Sequence, residues 1–329
     1  MSYKYSRLQI NIQHLPLINY MPELTPKQWI LIKQKITPYL FLLPALIILT
    51  FTVFYPAIQA FYLSFTSYEN IGDIPQWVGG KNFLRLWKDT VFWQTLENTF
   101  LYLIGVVPIL VFFPLVLAIL VNQKLRGMNW FRTAYYTPVV ISMVVAGIAW
   151  KWLYAETGLL NQILKTLGIF PAGIPWLTSP DKILGIVPIS LASVMAVTIW
   201  KGLGYYMVIY LAGLQSIPAD IYEAAAIDGS DSIRKHWDIT LPLMKPYLAL
   251  VAVISSIAAT KVFEEVYVMT QGGPLNSSKT IVYYLYEQAF DNLEISYACT
   301  IGLVLFLIIL ILSVLRLIVN QQDGNDFNV

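Results

Sequence analysis

Charged side chains inside long apolar stretches are the first residues in this chain that could do chemistry. Lys201 lies in IWKGLGYYM, and the run KVFEE at 261–265 lies in a second apolar stretch. Charge at membrane depth is costly and usually faces a cavity or a pathway. Neighbouring tyrosines supply rings that stack and hydroxyls that form hydrogen bonds. The candidates for contact with a polar molecule are Lys201, Tyr205, Tyr206, Glu264, Glu265 and Tyr267.

A purely structural role for these residues is also open. Lys201 and Lys261 could extend their ammonium groups to the membrane surface while their stems stay in lipid. Glu264 or Glu265 could then pair with one of these lysines without touching any ligand. The sequence leaves both roles open.

The stretch EAAAIDGSDSIRKHWDITLP, residues 223–242, is a second polar feature between apolar segments. Pro218 suits the first turn of a helix, and the alanines that follow are strong helix formers. Gly229 stands where a left-handed residue ends a helix. A second short helix is expected after it, stopped by Pro242 and Pro246. The pattern predicts a helix–turn–helix hairpin whose small alanine face suits close docking to another protein.

Composition places the chain among membrane proteins. Hydrophobic residues make up 57% of the 329 residues and charged residues 12%, about half the charged share of a soluble domain. A membrane span needs roughly 20 mainly apolar residues. Six segments qualify, at about 38–64, 98–121, 134–154, 184–214, 247–269 and 297–319. The predicted fold class is therefore all-α, with six transmembrane helices in one domain at 37–320.

The distribution of positive charge orients these spans. Twelve of the 21 Lys and Arg residues fall on the side that holds both termini and the 216–246 loop. A positive excess marks the cytoplasmic side of a membrane. We therefore expect a cytoplasmic N-terminal segment at 1–36, a cytoplasmic hairpin at 216–246 and a cytoplasmic tail at 321–329.

Residue content argues against several other kinds of chemistry. The stretch GGKN at 79–82 lacks both the first glycine and the Ser or Thr of a phosphate-binding loop, so ATP hydrolysis is not expected. Cys299 is the one cysteine, and His14 and His236 lie far apart, so no metal site is expected. A net charge of +2 without a basic stripe does not suggest a nucleic-acid partner. We therefore expect membrane lipid to surround the chain. We do not predict an enzyme.

The hairpin sequence resembles a known signature. EAA, a glycine soon after it and a final I-x-LP match the EAA signature of ABC-importer permeases, at Glu223, Ala224, Ala225, Gly229, Ile239, Leu241 and Pro242. LAGLQSIP before the signature and FEEVYVMTQGGP after it resemble the carbohydrate-uptake branch of these permeases, as does WVGGKNFLRLWKDTVFWQTLENTF. The resemblance covers about 38–320 and implies the type I (MetI-like) permease fold.

The resemblance also implies roles and partners. The hairpin would be a coupling helix that docks on a separate ATPase, through Glu223, Ala224, Ala225, Ile227, Asp228, Gly229, Arg234 and Pro242. The partners would be a second homologous permease, two ATP-binding subunits that bind ATP and magnesium, and an extracytoplasmic solute-binding protein. This chain would bind no cofactor itself. The substrate would be a sugar or related polyol, and the location a bacterial-type plasma (inner) membrane.

An ion-gradient-driven secondary transporter is the alternative from another class. It would need carboxylates within the membrane for ion coupling, and Glu264 and Glu265 are the feature in its favour. It would also transport without an ATPase partner, which is where the two hypotheses differ most.

Overall fold

The structure, a computed structural model, describes residues 26–67, 74–123, 125–230 and 233–324. The predicted cytoplasmic segment at 1–36 therefore lies mostly outside the described residues, as do the last five residues of the predicted tail. The helices are α1 (Pro26–Leu49), α2 (Tyr55–Leu63), α3 (Lys81–Lys88), α4 (Thr90–Val121), α5 (Met128–Val140), α6 (Met143–Leu153), α7 (Leu159–Thr166), α8 (Ile189–Gln215), α9 (Ala219–Ile227), α10 (Leu241–Leu243), α11 (Lys245–Thr260), α12 (Glu264–Met269), α13 (Ile281–Tyr286) and α14 (Ile295–Gly324).

Short irregular elements complete the chain. π-helical segments occupy Thr50–Phe54, His236–Thr240 and Glu287–Asp291. Two small antiparallel hairpins pair β1 (Thr66–Ser67) with β2 (Gln76–Trp77) and β3 (Lys182–Ile183) with β4 (Val187–Pro188). Residues 1–59 and 60–329 form two units. The first unit holds α1, the π-helical segment Thr50–Phe54 and the first part of α2. The elements that follow α2 lie in the second unit.

Apolar helices in the described residues match the length of membrane spans. Three single helices are long and apolar enough, at Thr37–Leu63, Thr90–Val121 and Ile189–Gln215. Two further candidates are bent pairs, Met128–Val140 with Met143–Leu153 and His236–Leu243 with Lys245–Thr260. The described apolar part of α14, Ile295–Ile311, is shorter. Each of the six segments named from the sequence falls on helical elements, although several boundaries differ.

The core of the second unit forms where α4, α8 and α11 pack together. Tyr102, Val106, Met207, Tyr210 and Val251 are almost fully buried there. Adding a Cβ atom to Gly204 would place it 2.0 Å from the Tyr135 carbonyl oxygen, so α8 and α5 are in backbone contact at this glycine. Close packing of this kind depends on the absence of a side chain.

Two helices begin at positions that differ from the predicted starts of their spans. The second span was expected from about residue 98, but α4 begins at Thr90 because the Asp89 carboxylate caps it, accepting from the N–H groups of Val91 (2.9 Å) and Phe92 (3.3 Å). The fourth was expected from about residue 184, but a turn with Leu184 and Gly185 at positive φ joins β3 to β4 there. Helix α8 starts only at Ile189.

The third and fifth predicted spans are each broken, and Pro138 had indicated a kink in the third. The third bends by 98° between α5 and α6, where Ile141 is extended (φ −73°, ψ 134°). Pro138 lies in the last turn of α5 and has no N–H to donate to the carbonyl four residues earlier, which weakens the helix next to the break. The fifth stops at Lys261 and restarts at Glu264, and the Thr280 hydroxyl donates to the freed Val262 carbonyl (3.0 Å). Broken helices in membranes are tolerated where neighbours satisfy the backbone.

A polar network fixes the elements around the start of α4. The hydroxyls of Tyr284 and Tyr297 both donate to Asp89 Oδ2 at 2.5 Å, and Arg85 pairs with Glu294 at 2.6 Å. Burial opposes ionisation of Asp89, but the hydrogen bonds from the two tyrosines and the helix backbone outweigh it. The pKa of Asp89 is therefore below its usual range. The ionised carboxylate thus joins α13 and α14 to the start of α4.

Candidate functional site

A cavity of about 540 Å³ lies beside the two helix breaks. Its walls come from the α5–α6 break, the middle of α8 and the α11–α12 break. The lining residues are Val139, Met143, Thr198, Lys201, Gly202, Tyr205, Tyr206, Ala258, Lys261, Val262, Phe263, Glu264 and Glu265. Five of the six residues proposed from the sequence for solute contact therefore line one cavity. Tyr267 is not part of this lining and belongs to a neighbouring aromatic cluster.

Lys201 is held by the backbone of the broken span. Its Nζ donates to the Ile141 carbonyl oxygen at 2.6 Å. This carbonyl lies at the C-terminal end of α5, where helix carbonyls lack partners and positive charge is favourable. Lys201 thus stabilises the break as well as lining the cavity, a structural role different from the extension to the membrane surface that the sequence suggested.

Glu265 is held by a chain of hydroxyls. The Thr198 hydroxyl donates to Glu265 Oε1 at 3.0 Å, and the Tyr102 hydroxyl lies 2.5 Å from the same Thr198 oxygen. Buried carboxylates are stable only when their oxygens are hydrogen-bonded. This chain links α12 to α8 and α4.

The remaining charges are more accessible. Lys261 and Glu264 are exposed, and no ion pair joins either of them to another described residue. The Tyr205 ring is 43% exposed, whereas Tyr206 is buried against it in an edge-to-face contact. The cavity therefore offers the Tyr205 ring, the Lys261 ammonium group and the Glu264 carboxylate to a ligand, beside the half-buried Phe263 ring. That combination suits a neutral polar molecule with both hydroxyl groups and an apolar face.

The sequence reasoning missed Thr198 and Phe263 as cavity residues. Thr198, Lys201 and Tyr205 are spaced three and four residues apart, so they share one face of α8. That spacing is a signal that could have identified Thr198. Phe263 carried no such signal, because its position depends on the break in the fifth span.

The hairpin begins with α9, as the Pro and Ala pattern predicted. Pro218 precedes the helix and Asp220 lies in its first turn. Gly229 ends it with φ +81°, while its N–H bonds the Ala226 carbonyl and the next N–H, of Ser230, bonds the Ala225 carbonyl. This is the Schellman arrangement that closes a helix with a left-handed glycine.

The second limb of the hairpin ends between Pro242 and Pro246, the two prolines expected to stop it. The helical path continues from the π-helical His236–Thr240 segment through Pro242 to Leu243. Pro242 has no N–H to donate to the preceding helical turn, and the path ends one residue later, at Leu243. The bend of 57° comes later, between Leu243 and Lys245.

Hydrogen bonds within the hairpin tie its two limbs together. At the base, the buried Thr240 hydroxyl lies 3.1 Å from the Tyr222 hydroxyl and 3.2 Å from His236 Nδ1. At the tip, Asp238 accepts from Ser230 (2.7 Å) and pairs with Arg234 (3.1 Å). Arg234, expected to contact an ATPase, is thus held by its own hairpin.

Apolar side chains on the hairpin point into solvent. Ile227 is 87% exposed, and Ile221, Ile233 and Trp237 are also exposed. Of the alanines in the signature, Ala224 is exposed and Ala225 buried, so one alanine faces inward. Glu223, Asp228, Gly229 and Pro242 are exposed as well. A polar hairpin that exposes four large apolar side chains has the character of a binding surface.

Comparison with known sequences identifies the family of the chain. Residues 91–322 match the family described as the binding-protein-dependent transport system inner membrane component. The lactose transport system permease protein of Rhizobium radiobacter is 37% identical over 284 residues, covering 84% of this chain and 92% of that protein. An arabinooligosaccharides transport system permease protein of Bacillus subtilis is 38% identical over 293 residues, covering 86% and 88%.

Comparison with solved structures supports the predicted fold. A chain from a bacterial ABC transporter involved in the import of the acidic polysaccharide alginate superposes with a TM-score of 0.77, at 22% identity, covering 90% of this chain and 99% of that one. The all-α permease fold is confirmed, and the family favours an importer subunit over an ion-gradient-driven transporter. The chain belongs to the inner membrane components of binding-protein-dependent transport systems, and it is a multi-pass transport subunit rather than an enzyme.

Proposed function

We propose that this chain forms half of the membrane path for a sugar or related polyol in an ATP-driven importer. A second, homologous permease supplies the other half, two ATP-binding subunits supply the energy, and an extracytoplasmic solute-binding protein delivers the solute. The names of the similar lactose and arabinooligosaccharide permeases support a carbohydrate. The cavity supports it too, since an exposed tyrosine ring beside polar groups suits a molecule with an apolar face and hydroxyl edges.

The exposed apolar surface of the hairpin is the observation that carries the coupling role. Ile227 and Trp237 are 87% and 66% exposed on the hairpin. Burying them against an ATPase would supply docking free energy of roughly 1.5–3 kcal/mol for each side chain. Exposed charge pairs contribute less, so Glu223 and Asp228 would mainly set the orientation of docking.

The proposed cycle follows from a rigid hairpin attached to the core helices. Both termini and the hairpin lie in the cytoplasm, in keeping with the excess of Lys and Arg on that side. ATP and magnesium bind to the ATPase subunits, and closure of these subunits pushes on the hairpin. Because α9 follows α8 and α10 leads into α11, the push reaches two helices that line the cavity.

Gly229→Asp is the test of the coupling role. Gly229 has φ +81° and open space around it, so aspartate adds backbone strain and charge to the docking surface without a clash in the core. We expect the variant to reach the membrane normally while ATP-driven uptake falls by at least ten-fold. Gly127→Asp is the matched control, because Gly127 also has positive φ (+89°) and open space but lies outside the hairpin.

Co-purification separates the competing functions. The importer hypothesis expects the wild-type chain to be recovered with a second permease and an ATPase, and the cognate solute-binding protein to bind a sugar or polyol in a screen. Uptake that persists without any ATPase would instead support an ion-gradient-driven transporter. Wild-type uptake by Gly229→Asp, with normal complex recovery, would refute the coupling role of the hairpin.

A further inference from the structure

A second cavity, of about 410 Å³, lies at the base of the hairpin, and we call it the hairpin pocket. Its walls come from the end of α4, the end of α8 and both limbs of the hairpin, and Ile119 and Leu214 form its apolar part. It shares no lining residue with the cavity beside the helix breaks. Its volume is that of a small-molecule site.

Every polar side chain that lines the hairpin pocket can donate a hydrogen bond, and none is a carboxylate. Lys235 supplies an ammonium group, and Asn122 and Gln123 supply amide N–H groups. The Asp238 carboxylate of the same limb is outside this lining, because it is bonded to Arg234 and Ser230 at the hairpin tip. The lining therefore suits an anion better than a cation.

Three further polar groups of the pocket are bonded to one another. The Thr240 hydroxyl lies 3.1 Å from the Tyr222 hydroxyl and 3.2 Å from His236 Nδ1. When Tyr222 donates to Thr240 and Thr240 donates to Nδ1, the other ring nitrogen of His236 carries the hydrogen. In that arrangement the imidazole is neutral and is one more donor.

Lys235 differs from the other lysines that are shielded from water. Among the residues whose burial the structure describes, Lys201, Lys235 and Lys279 are the lysines that are not exposed. Lys201 donates to the Ile141 carbonyl, and Lys279 pairs with Glu287. No hydrogen bond or ion pair joins Lys235 to another described residue. Shielding an ammonium group from water without a partner costs free energy, so an anion beside Lys235 would be stabilising.

The end of α4 does not explain the position of Lys235. Carbonyl groups at the end of a helix attract positive charge, but Arg132 already supplies it. Its Nε and Nη2 atoms donate to the Val121 carbonyl oxygen at 3.1 Å and 2.7 Å. The Lys235 ammonium group thus remains available to a ligand.

We propose that the hairpin pocket binds a phosphate group, carried by a soluble cytoplasmic molecule or by an anionic lipid headgroup. Phosphate has several acceptor oxygens, so it can accept from Lys235, Asn122 and Gln123 together. Ile119 and Leu214 leave an apolar wall for the rest of the ligand. Pockets with basic residues at the cytoplasmic ends of membrane helices bind anionic headgroups in the same way.

An occupant would connect parts of the chain that the transport cycle is proposed to move. The pocket is lined by Tyr222 from the first limb, Lys235 from the second limb and Asn122 at the end of α4. A ligand that bonds to these groups would hold the hairpin against α4. This effect on transport rests on the proposed function, whereas the binding site itself does not.

Direct binding to the purified importer complex tests the pocket. In one arm, inorganic phosphate and glucose 6-phosphate are titrated into the complex in nanodiscs of phosphatidylcholine. In the other arm, native mass spectrometry counts the lipids retained from an equal mixture of phosphatidylglycerol and phosphatidylcholine.

Lys235→Gln is the variant that separates this pocket from other anion sites. It is expected to raise the Kd of the soluble phosphate about ten-fold, or to abolish the preference for phosphatidylglycerol, because it removes a charged donor. It breaks no bond to another described residue, so its melting temperature should be that of the wild type. Lys235→Arg should keep the binding. Lys245→Gln is the matched control, since Lys245 is an exposed lysine of the same loop outside the pocket.

Each outcome decides the inference without measuring transport. Binding in either arm that depends on Lys235 supports the pocket, and the arm identifies the source of the phosphate. A wild-type complex that binds neither soluble phosphate nor phosphatidylglycerol above phosphatidylcholine would overturn it. So would a Lys235→Gln complex with wild-type binding, or an equal loss in Lys245→Gln. A complex that binds phosphate but imports no sugar or polyol would refute the proposed function and leave the pocket standing.

Discussion

The hairpin and the cavity are both polar parts of an apolar chain, but their hydrogen bonds join residues at very different separations. Within the hairpin, the bonds of Asp238 and Thr240 span at most 18 residues. Around the cavity, the bonds of Lys201, Thr198 and Glu265 join residues 60 to 96 positions apart. The hairpin is thus a local structure, whereas the cavity exists only when the whole helix bundle has formed.

This difference predicts how each region responds to substitution. A change in the hairpin can abolish docking while the core stays intact, because the contacts it loses are local or face solvent. A change around the cavity alters contacts between α4, α5, α8 and α12, so stability and transport should change together. The following substitutions test that contrast, beginning with the largest expected effect.

Gly204→Ala should prevent stable folding of the permease. The new Cβ atom would lie 2.0 Å from the Tyr135 carbonyl oxygen, and backbone atoms cannot rotate away as a side chain can. Such overpacking is expected to cost at least about 3 kcal/mol. The amount of folded protein in the membrane and its melting temperature in detergent measure the effect.

Gly80→Ala is the control for that substitution. Gly80 has φ −79° and nothing within 4 Å of its added Cβ, so this variant should melt like the wild type. A Gly204→Ala protein that is equally stable would show that the α5–α8 contact is looser than the structure indicates.

Lys201→Met and Lys261→Met compare a bonded charge with an accessible one in the same cavity. Lys201→Met leaves the Ile141 carbonyl without its donor, which should cost about 1–3 kcal/mol. Lys261→Met removes an exposed charge and should change stability by less than about 0.5 kcal/mol. Thermal melting of the two purified variants measures the difference. Equal losses of stability would contradict the assignment of Lys201 to the helix break.

The sequence predicted the hairpin better than the cavity because the hairpin depends on contacts between nearby residues and the cavity on contacts between distant ones. Pro218, the alanines and Gly229 act through local backbone preferences, so their positions indicate a helix and its end before any tertiary structure is known. The breaks at Ile141 and Val262 depend on partners far along the chain, Lys201 and Thr280. No local pattern shows those partners, so Pro138 could indicate a kink in the third span but the sequence could not show how either break is stabilised.

The exposed charges illustrate the limit of sequence analysis at the cavity. The run KVFEE at 261–265 identified a polar segment at membrane depth, and the structure places Glu264 and Glu265 at the same cavity. The sequence could not show that Thr198 holds Glu265 while Glu264 stays accessible, because that depends on which face of α8 meets α12. Tyr267 lies two residues after Glu265 but outside the cavity lining, and this too depends on which face of α8 meets α12.

Tyr222→Phe tests whether the base of the hairpin must be stiff to transmit force. The variant keeps the ring and removes one hydroxyl contact to Thr240, which should cost about 1 kcal/mol. We expect little change in melting temperature but a lower ratio of solute imported to ATP hydrolysed, measured in proteoliposomes. Thr240→Ser keeps the hydroxyl that Tyr222 and His236 contact, so it should keep the wild-type ratio. An unchanged ratio in Tyr222→Phe would show that the two limbs transmit the push without this bond, and that docking alone sets the coupling.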